Sequence, residues 1–369
     1  MKEKYKVAIL ATYVSLVDRG AETFVVELTK KLRNSFDVTV YASGLVDSIR
    51  ESIVVVKVKK SVLTRFQEKL YFNFKPYKKL CDRLYCLIPE VMYQKSFSKQ
   101  VYKQFLLKEQ FDIVFPNNGV PGAIYAKRVR ELFHTPFIYT GHGGIGPGER
   151  LILKTEPDCY VALSYPQYDW ASAFSKNVKL IHNGVDCNYF KPDRSYNKEY
   201  SAIQIVLSVG ALTSFKRHSL TIDAVSRLGK NVQLIILGKG ELEDQLRTYG
   251  ERILGSRFTL KSVPYGEIKN HYAGCDVFVL PSLNEPFGIV YLEAMAMNKP
   301  VVAHIDATRV EIVGNAGILC DCTDPDSYSE AIRECLLKDW GNTPRERALT
   351  FDWGVIAKEY YNLIKELVK

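Results

Sequence analysis

The sequence lacks the long apolar runs and the metal-binding motifs that mark several classes of protein. No apolar run reaches the roughly 18–20 residues that a membrane-spanning helix needs. Eight cysteines are present, but no two are spaced as CxxC and their positions fit no set of zinc ligands. Asp18 and Arg19 follow the apolar run 7–17, where a signal peptide would have small residues. We therefore expect a cytoplasmic protein whose reduced cysteines act as small apolar side chains.

The positive charge of the chain is concentrated in one aromatic segment. Residues 55–110 contain 13 lysines and arginines against 4 acidic residues. The difference, 13 − 4 = +9, equals the net charge of the whole chain. Cations interleaved with aromatics in residues 57–108 suit docking on an anionic membrane surface, which would place the protein at the inner face of the membrane. A solvated helix face whose aromatics cover the core explains the same pattern. Nucleic-acid binding has no motif behind it.

Short apolar runs alternate with helical stretches along the whole chain. The runs are 7–12, 38–43, 53–58, 113–116, 136–140, 159–164, 178–181, 205–210, 232–238, 258–261, 277–281, 300–303 and 317–320. Runs of this length and apolar content indicate strands buried on both faces, and hence parallel sheets covered by helices. We predict an α/β protein with two doubly wound domains, 1–192 and 200–350, followed by a final helix within 351–369.

Two predicted strand-to-helix junctions of the first domain are candidates for ligand binding, because such ligands lie beyond the carboxyl ends of the strands. Gly20 follows the first strand, and here it would let the backbone approach a diphosphate at the start of helix 21–33. An ordinary turn is the alternative. The glycine-rich stretch 141–148 would present His142 to a cleft, and a purely structural histidine is the alternative.

Two further junctions lie in the second domain. Lys216 and Arg217 precede helix 219–228 and would neutralise a diphosphate leaving group, or form a solvated helix start. The stretch from Glu285 to Glu293 is more informative. Proline suits the first position of a helix, so we expect a helix from Pro286 whose first N–H groups face an anion. Glu293 lies in an apolar helix and needs a partner.

The stretch Glu285-Pro-Phe-Gly-Ile-Val-Tyr-Leu-Glu293 resembles the E-x7-E signature of glycosyltransferase family 4. This family is retaining and has the GT-B fold, in which two Rossmann-like domains face each other across a cleft. Other parts of the family pattern are resembled by Pro300-Val-Val-Ala303, Asn183-Gly-Val-Asp186 and Phe351-Asp-Trp353. The last of these resembles the start of the family's final helix, so the resemblance implies that the helix within 351–369 returns to the first domain. The resemblance extends over nearly the whole chain.

The resemblance implies a hexosyltransferase-type enzyme that moves a sugar from a UDP-, GDP- or ADP-linked donor to a sugar or lipid-linked acceptor. It implies no cofactor and no catalytic metal, and it assigns the acidic run 321–326 to a structural turn. The first domain would bind the acceptor and the second domain the donor. The implied contacts are Glu293 with the ribose; Glu285 with the donor sugar; Gly20, Lys216, Phe287, Gly288 and Ile289 with the diphosphate; Val263 with the base; and His142 with the sugar at the reacting centre.

Three departures from the family pattern are visible. Ala211 stands where many members have a phosphate-binding arginine, and Arg217 is the candidate replacement. Ala307 and Thr308 stand where many members have two glycines, which changes the local donor contacts. His182 replaces the usual proline before Asn183.

Other functions remain as alternatives. One is a catalytically idle GT-B subunit that only binds a partner, and another is a different GT-B enzyme such as a nucleotide-sugar epimerase. A dehydrogenase is disfavoured because no GxGxxG stretch follows the first strand. A glycosidase is disfavoured because no second acid is paired with Glu285 at the separation that such an enzyme needs.

Overall fold

A computed structural model describes residues 4–16, 20–58, 69–71, 88–117, 119–192 and 203–368. The chain divides into two units. The first unit is Met1–Leu163, Gln167–Ile181 and Ala357–Lys369, and the second is Ser164–Pro166 and His182–Ile356.

The first unit is built on parallel strands. These are β1 (Lys6–Ala11), β2 (Asp37–Ala42), β3 (Ile53–Val55), β4 (Ile113–Pro116), β5 (Ile138–Thr140), β6 (Cys159–Ala162) and β7 (Val178–Leu180). They pair in the orders β3-β2-β1-β4 and β5-β6-β7, and a parallel bridge between Val114 and Phe137 joins β4 to β5. The strand order therefore reverses direction between β1 and β4.

Helices lie between these strands in the chain. They are α1 (Gly20–Leu32), α2 (Pro89–Val101), α3 (Gly119–Phe133), α4 (Pro147–Leu153) and α5 (Tyr165–Ser172), with π-helical residues Tyr102–Leu106 directly after α2. All residues of β1 after Lys6 are buried, because apolar side chains on both faces of a strand need cover on both sides. The core of this unit includes Leu10, Phe97, Val114 and Phe137.

The second unit repeats the same plan. Its strands are β8 (Gln204–Val209), β9 (Val232–Leu237), β10 (Phe258–Lys261), β11 (Val277–Leu280), β12 (Val301–His304) and β13 (Gly317–Cys320). Its helices are α6 (His218–Ser226), α7 (Glu243–Leu254), α8 (Tyr265–Gly274), α9 (Ile289–Ala296), α10 (Ala307–Val313), α11 (Pro325–Leu337) and α12 (Thr343–Leu349). The sheet order β10-β9-β8-β11-β12-β13 reverses direction between β8 and β11. The predicted fold class, parallel sheets with a doubly wound order, is confirmed.

The final helix, α13 (Trp353–Leu367), starts in the second unit and continues into the first. At its start, Asp352 forms a bridge with Val185, and the Trp353 side chain is buried. Further along, the Tyr360 hydroxyl lies 3.1 Å from Thr140 Oγ1 within the first unit.

The expected helix start at Pro286 is wrong, since α9 begins at Ile289. Asn284 and Gly288 have φ angles of 53° and 91°, in the left-handed region. Two such residues on either side of Pro286 interrupt any right-handed helix there, so the proline lies in a loop.

The basic, aromatic segment is described only in part, because residues 59–68 and 72–87 lie outside the described residues. Phe97 is fully buried, and the ring of Phe105 lies 4.9 Å from that of Tyr41. These two aromatics therefore cover the core, as the alternative interpretation of this segment expects. Within the described residues no helix combines the length and apolar content needed to cross a membrane.

Candidate active site

The two loops that leave β8 and β11 meet where the order of the second sheet reverses. Lys216, on the first loop, forms an ion pair with Oε2 of Glu285, on the second. Ser282 Oγ donates to the same oxygen at 2.9 Å. Both charged side chains are more than four-fifths buried, at 19% and 15% exposed. The structure thus brings together two of the residues predicted to carry the chemistry.

The backbone of these loops is held in strained conformations. Arg217 and Asn284 have φ angles of 51° and 53°, which cost about 1–3 kcal/mol each for residues other than glycine and persist only where the surroundings impose them. Leu283 N donates to Phe215 O at 2.8 Å and Arg217 Nε to Pro281 O at 2.6 Å, which ties the two loops together. Arg217 Nη2 is buried and has no hydrogen-bond partner among the described residues.

The start of α9 lies directly after Glu285. Gly288 precedes the helix with a φ of 91°, and a Cβ there would lie 2.5 Å from the ring of Tyr291, so only glycine fits. Tyr291 N donates to the Gly288 carbonyl at 3.1 Å, whereas the N–H groups of Ile289 and Val290 have no partner within the helix and lie at its positive end. The Phe287 side chain is buried with its ring 6.1 Å from that of Phe351, so only its main chain is available to a ligand.

Glu293 is buried one turn into α9. Tyr272 OH donates to its Oε2 at 2.8 Å, and Tyr265 provides a second hydrogen bond. Burial raises the pKa of Glu293 to about 7, and the two phenol hydrogen bonds oppose this shift. The partner that the sequence required for Glu293 is thus a pair of tyrosines, separate from the ion pair of Glu285.

A buried arginine that the sequence analysis missed holds the Glu285 loop. Arg309 is 2% exposed, and its Nη1 donates to the main-chain carbonyl of Glu285 at 2.7 Å. Its Nε donates to Asp306 Oδ2 at 2.9 Å, and Asp306 also caps α10 by accepting from Arg309 N. Arg309 lies beside the Ala307-Thr308 pair, so this departure from the family pattern was the signal that could have found it.

Two other candidates occupy surface positions. Val263 is half-buried in the loop after β10, immediately before Pro264, the N-cap residue of α8. Gly20 is exposed at the first position of α1, while residues 17–19 lie outside the described residues. The ligand contacts of Val263 and Gly20 stay predictions.

In the first unit, His142 follows β5 and is held by Asn117, which follows β4. Asn117 Nδ2 donates to the carbonyl of Ala21 at 3.1 Å, so its Oδ1 faces His142 Nε2, also at 3.1 Å. Nε2 therefore carries the proton and Nδ1 is left as an acceptor. Burial lowers the pKa of His142 to about 3, which keeps the imidazole neutral. The sequence analysis missed Asn117, although a polar residue at the end of a buried strand was a usable signal.

The acidic run 321–326 consists of carboxylates with structural partners. Asp321 accepts from Thr323 N at 2.9 Å, and Asp324 caps α11. Asp326 accepts from Arg227 Nε at 2.7 Å. This agrees with a turn before a helix.

We expect Glu293→Gln to change the pH dependence of stability. The folded-state pKa of about 7 lies above the unfolded value of 4.5, so the folded protein keeps a proton that the unfolded chain has lost. The free energy of unfolding should therefore fall as the pH rises from about 4.5 to 7, by about 3 kcal/mol for this group. In urea unfolding across this pH range, the free energy of unfolding of Glu293→Gln should fall by about 3 kcal/mol less than that of the parent. Exposed Glu267→Gln is the control, and equal pH dependence in both variants would contradict the assignment.

Comparison with known proteins finds glycosyltransferases similar in sequence to this chain. An uncharacterized glycosyltransferase of Methanocaldococcus jannaschii, MJ1607, is 31% identical over 211 residues, which are 51% of this chain and 54% of that protein. The chain thus spans about half the length of this relative. A GDP-mannose-dependent monoacylated alpha-(1-6)-phosphatidylinositol monomannoside mannosyltransferase of Corynebacterium glutamicum is 26% identical over 276 residues, 67% of this chain and 72% of that protein.

The fold is shared with Anabaena Alr3699/HepE in complex with UDP and glucose. The TM-score is 0.74 at 19% identity, over 98% of this chain and 99% of that chain. Two family models match successive parts of the sequence: Glycosyltransferase Family 4 over residues 19–189 and Glycosyl transferases group 1 over residues 191–348. The chain belongs to the family 4 glycosyltransferases and has the GT-B type of fold.

Proposed function

We propose that this glycosyltransferase is retaining, binds a nucleotide-sugar donor on its second unit, and transfers the sugar to a sugar or lipid-linked acceptor without a catalytic metal. The observation that carries the proposal is the ion pair between Lys216 and Glu285 at the strand-order reversal. In open α/β sheets this is the position where ligands bind.

The diphosphate of the donor matches the cationic groups at this position. Lys216 supplies a positive charge, and the first turn of α9 supplies N–H groups at the positive end of a helix dipole. These groups would stabilise the charge that develops on the leaving diphosphate, the task that a divalent metal performs elsewhere. Arg217, whose Nη2 has no partner among the described residues, is the candidate for an additional contact.

The two glutamates suit different parts of the donor. The carboxyl group of Glu293 is fixed by hydrogen bonds from Tyr272 and Tyr265, and it suits the ribose hydroxyls. Glu285 shares Oε2 between Lys216 and Ser282 and suits the hydroxyls of the donor sugar. The main chain at Val263, after β10, suits the base.

The reaction that we propose forms the new bond on the face from which the diphosphate leaves. The bond between the anomeric carbon and the diphosphate oxygen breaks, the acceptor oxygen attacks the same carbon, and the leaving oxygen takes the acceptor proton. The neutral His142 accepts a hydrogen bond from the sugar through Nδ1 and does not act as a general acid, since its pKa is about 3.

The names of the similar proteins do not select one donor base. One solved structure contains UDP and glucose, and the corynebacterial relative is GDP-mannose-dependent. A catalytically idle subunit and an epimerase are the competing functions. Both account equally well for the buried, hydrogen-bonded Lys216, Glu285 and Glu293 as a binding site. Analysis of the reaction product must therefore distinguish the three functions.

The first test is a thermal-shift panel of UDP, GDP, ADP and their sugar conjugates, followed by product analysis. We expect one nucleotide to raise the melting temperature, by about 1.4 kcal/mol of stabilisation at tenfold excess over its dissociation constant. Nuclear magnetic resonance should show that the product keeps the anomeric configuration of the donor. The rate of sugar transfer should be unchanged in excess EDTA. An inverted product would contradict the retaining mechanism, and loss of activity in EDTA would contradict independence from metal.

We also propose that the first unit attaches peripherally to an anionic membrane surface. Lys95, Lys99 and Lys103 are exposed and four residues apart, so they form one stripe on the side of α2 and its π-helical extension that faces solvent. Such a stripe gains about 1 kcal/mol per cation near an anionic surface. The corynebacterial relative is named for a phosphatidylinositol-linked acceptor, which supports a substrate presented at a membrane.

Flotation with vesicles containing phosphatidylglycerol tests this attachment. Changing Lys95, Lys99 and Lys103 together to glutamine should weaken binding about a hundredfold or more, because three cations are lost. The control changes the exposed residues Lys31, Lys154 and Lys176 of the same unit to glutamine. Equal effects of the two triple variants would contradict a specific surface, and no binding by the parent at moderate salt would contradict attachment.

A further inference from the structure

A buried polar cluster beneath the glycine-rich loop is not used by the proposed mechanism. It consists of Glu149 on α4, Tyr160 on β6 and Gln167 on α5, which are 5%, 0% and 1% exposed. Charged groups are seldom buried so completely without an opposite charge, because desolvation is costly. We call these three residues the Glu149 cluster.

The Glu149 cluster holds both peptide groups that flank His142. Glu149 Oε1 accepts from Gly143 N at 2.8 Å, on the carboxyl side of His142. Gln167 Nε2 donates to Gly141 O at 2.7 Å, on the amino side. The packing is close, since a Cβ at position 143 would lie 2.6 Å from Glu149 Oε1 and would displace this carboxylate. The backbone on either side of the histidine is therefore fixed by the same three side chains.

The direction of each hydrogen bond in the cluster is determined. Gln167 Oε1 accepts from Leu163 N at 2.8 Å, so the amide nitrogen must face Gly141 and Tyr160. Nε2 then donates to the Tyr160 hydroxyl oxygen at 3.0 Å, and that hydroxyl donates to Glu149 Oε2 at 2.9 Å. The chain of donors ends at Glu149, which accepts at both oxygens.

Only the ionised carboxylate satisfies this chain. A proton on Oε2 would face the Tyr160 hydroxyl, whose oxygen already accepts from Gln167, and the tyrosine proton would then lose its acceptor. Burial acts in the opposite direction and disfavours the charge. The balance raises the pKa of Glu149 to about 7, with the hydrogen bonds from Tyr160 and Gly143 limiting the shift.

The charged groups around the Glu149 cluster have other partners. Arg150, next on α4, lies 4.7 Å from the ring centre of Phe174. On α3, which packs against α4, Lys127 pairs with Glu156 and Arg130 with Asp158. On β5, the Tyr139 hydroxyl oxygen accepts a hydrogen bond from Gly119 N at 3.1 Å. His142, on the loop itself, stays neutral, and no ion pair to Glu149 forms among the described residues, so hydrogen bonds alone oppose the desolvation of Glu149.

We propose that Glu149 is a positioning residue for His142: its ionised carboxylate closes the chain from Gln167 through Tyr160 to Gly143, and protonation opens this chain and releases the glycine-rich loop. The catalytic relevance of His142 rests on the proposed function, whereas the coupling of loop order to the proton on Glu149 does not. The protein thereby has a loop whose order depends on pH close to neutrality.

Hydrogen–deuterium exchange of residues 141–148, measured by mass spectrometry from pH 5.5 to 8.5 and corrected for intrinsic rates, tests the coupling. In the parent, protection of the loop should fall about tenfold as the pH is lowered through 7, because one closing hydrogen bond is lost. Glu149→Gln should show protection that does not depend on pH, and Tyr160→Phe should show low protection throughout. Glu131→Gln, an exposed acid on α3, removes the same charge and should behave like the parent.

Two outcomes would overturn the inference. One is parent protection that does not change with pH, and the other is the same pH dependence in Glu149→Gln as in Glu131→Gln. Sugar transfer by the same proteins is the second measurement: the acid-side decline of activity should disappear in Glu149→Gln while the KM for the donor changes little. A positive exchange result without any transfer activity would reject the proposed function and leave the coupling intact, whereas normal activity with unchanged exchange would reject the coupling alone.

Discussion

The reversal of strand order between β8 and β11 is the constraint on which the site of the second unit depends. At such a reversal the loops leaving two neighbouring strands run to opposite faces of the sheet and leave a crevice between them. Lys216 lies on one loop and Glu285 on the other, and they meet because Val206 and Leu207 of β8 pair with Val277 and Phe278 of β11. The first unit has the same reversal between β1 and β4, and Asn117, which follows β4, orients His142. One topological feature thus positions polar groups in both units.

Several residues in and beside these loops adopt conformations or occupy environments that cost free energy. Arg217 and Asn284 adopt left-handed conformations, and Glu293 and Arg309 place charged groups in a protein interior. Three of these four residues have a local anchor: a tyrosine pair for Glu293, Asp306 for Arg309, and the Pro281 carbonyl for Arg217. Dipoles and charges fixed in this way need not reorganise when charge develops on a leaving group, which is the condition for strong electrostatic stabilisation.

The sheet could be predicted from local sequence, whereas the site could be predicted only in part. Each predicted apolar run overlaps a strand, because burial on both faces imposes an apolar composition on the strand itself. The helix start at Pro286 was wrong because the conformations of Asn284 and Gly288 override the preference of proline. Arg309 and the Glu149 cluster were missed for a different reason: their hydrogen bonds join separate helices, strands and loops, and these bonds depend on how those elements pack. The Lys216–Glu285 pair likewise depends on strand order, which the sequence did not show.

The most direct test of this account is the affinity for a nucleoside diphosphate, measured by titration calorimetry at fixed ionic strength with the nucleotide that the panel selects. Lys216→Met should weaken binding at least about tenfold, the usual loss for one charge-assisted hydrogen bond. The control is Lys230→Met, an exposed lysine that precedes β9 and therefore lies at the amino end of the sheet, away from the loops of the site. This variant should bind as the parent does. Equal affinity in the parent and in Lys216→Met would contradict the claim that the ion pair at the strand-order reversal marks the diphosphate site.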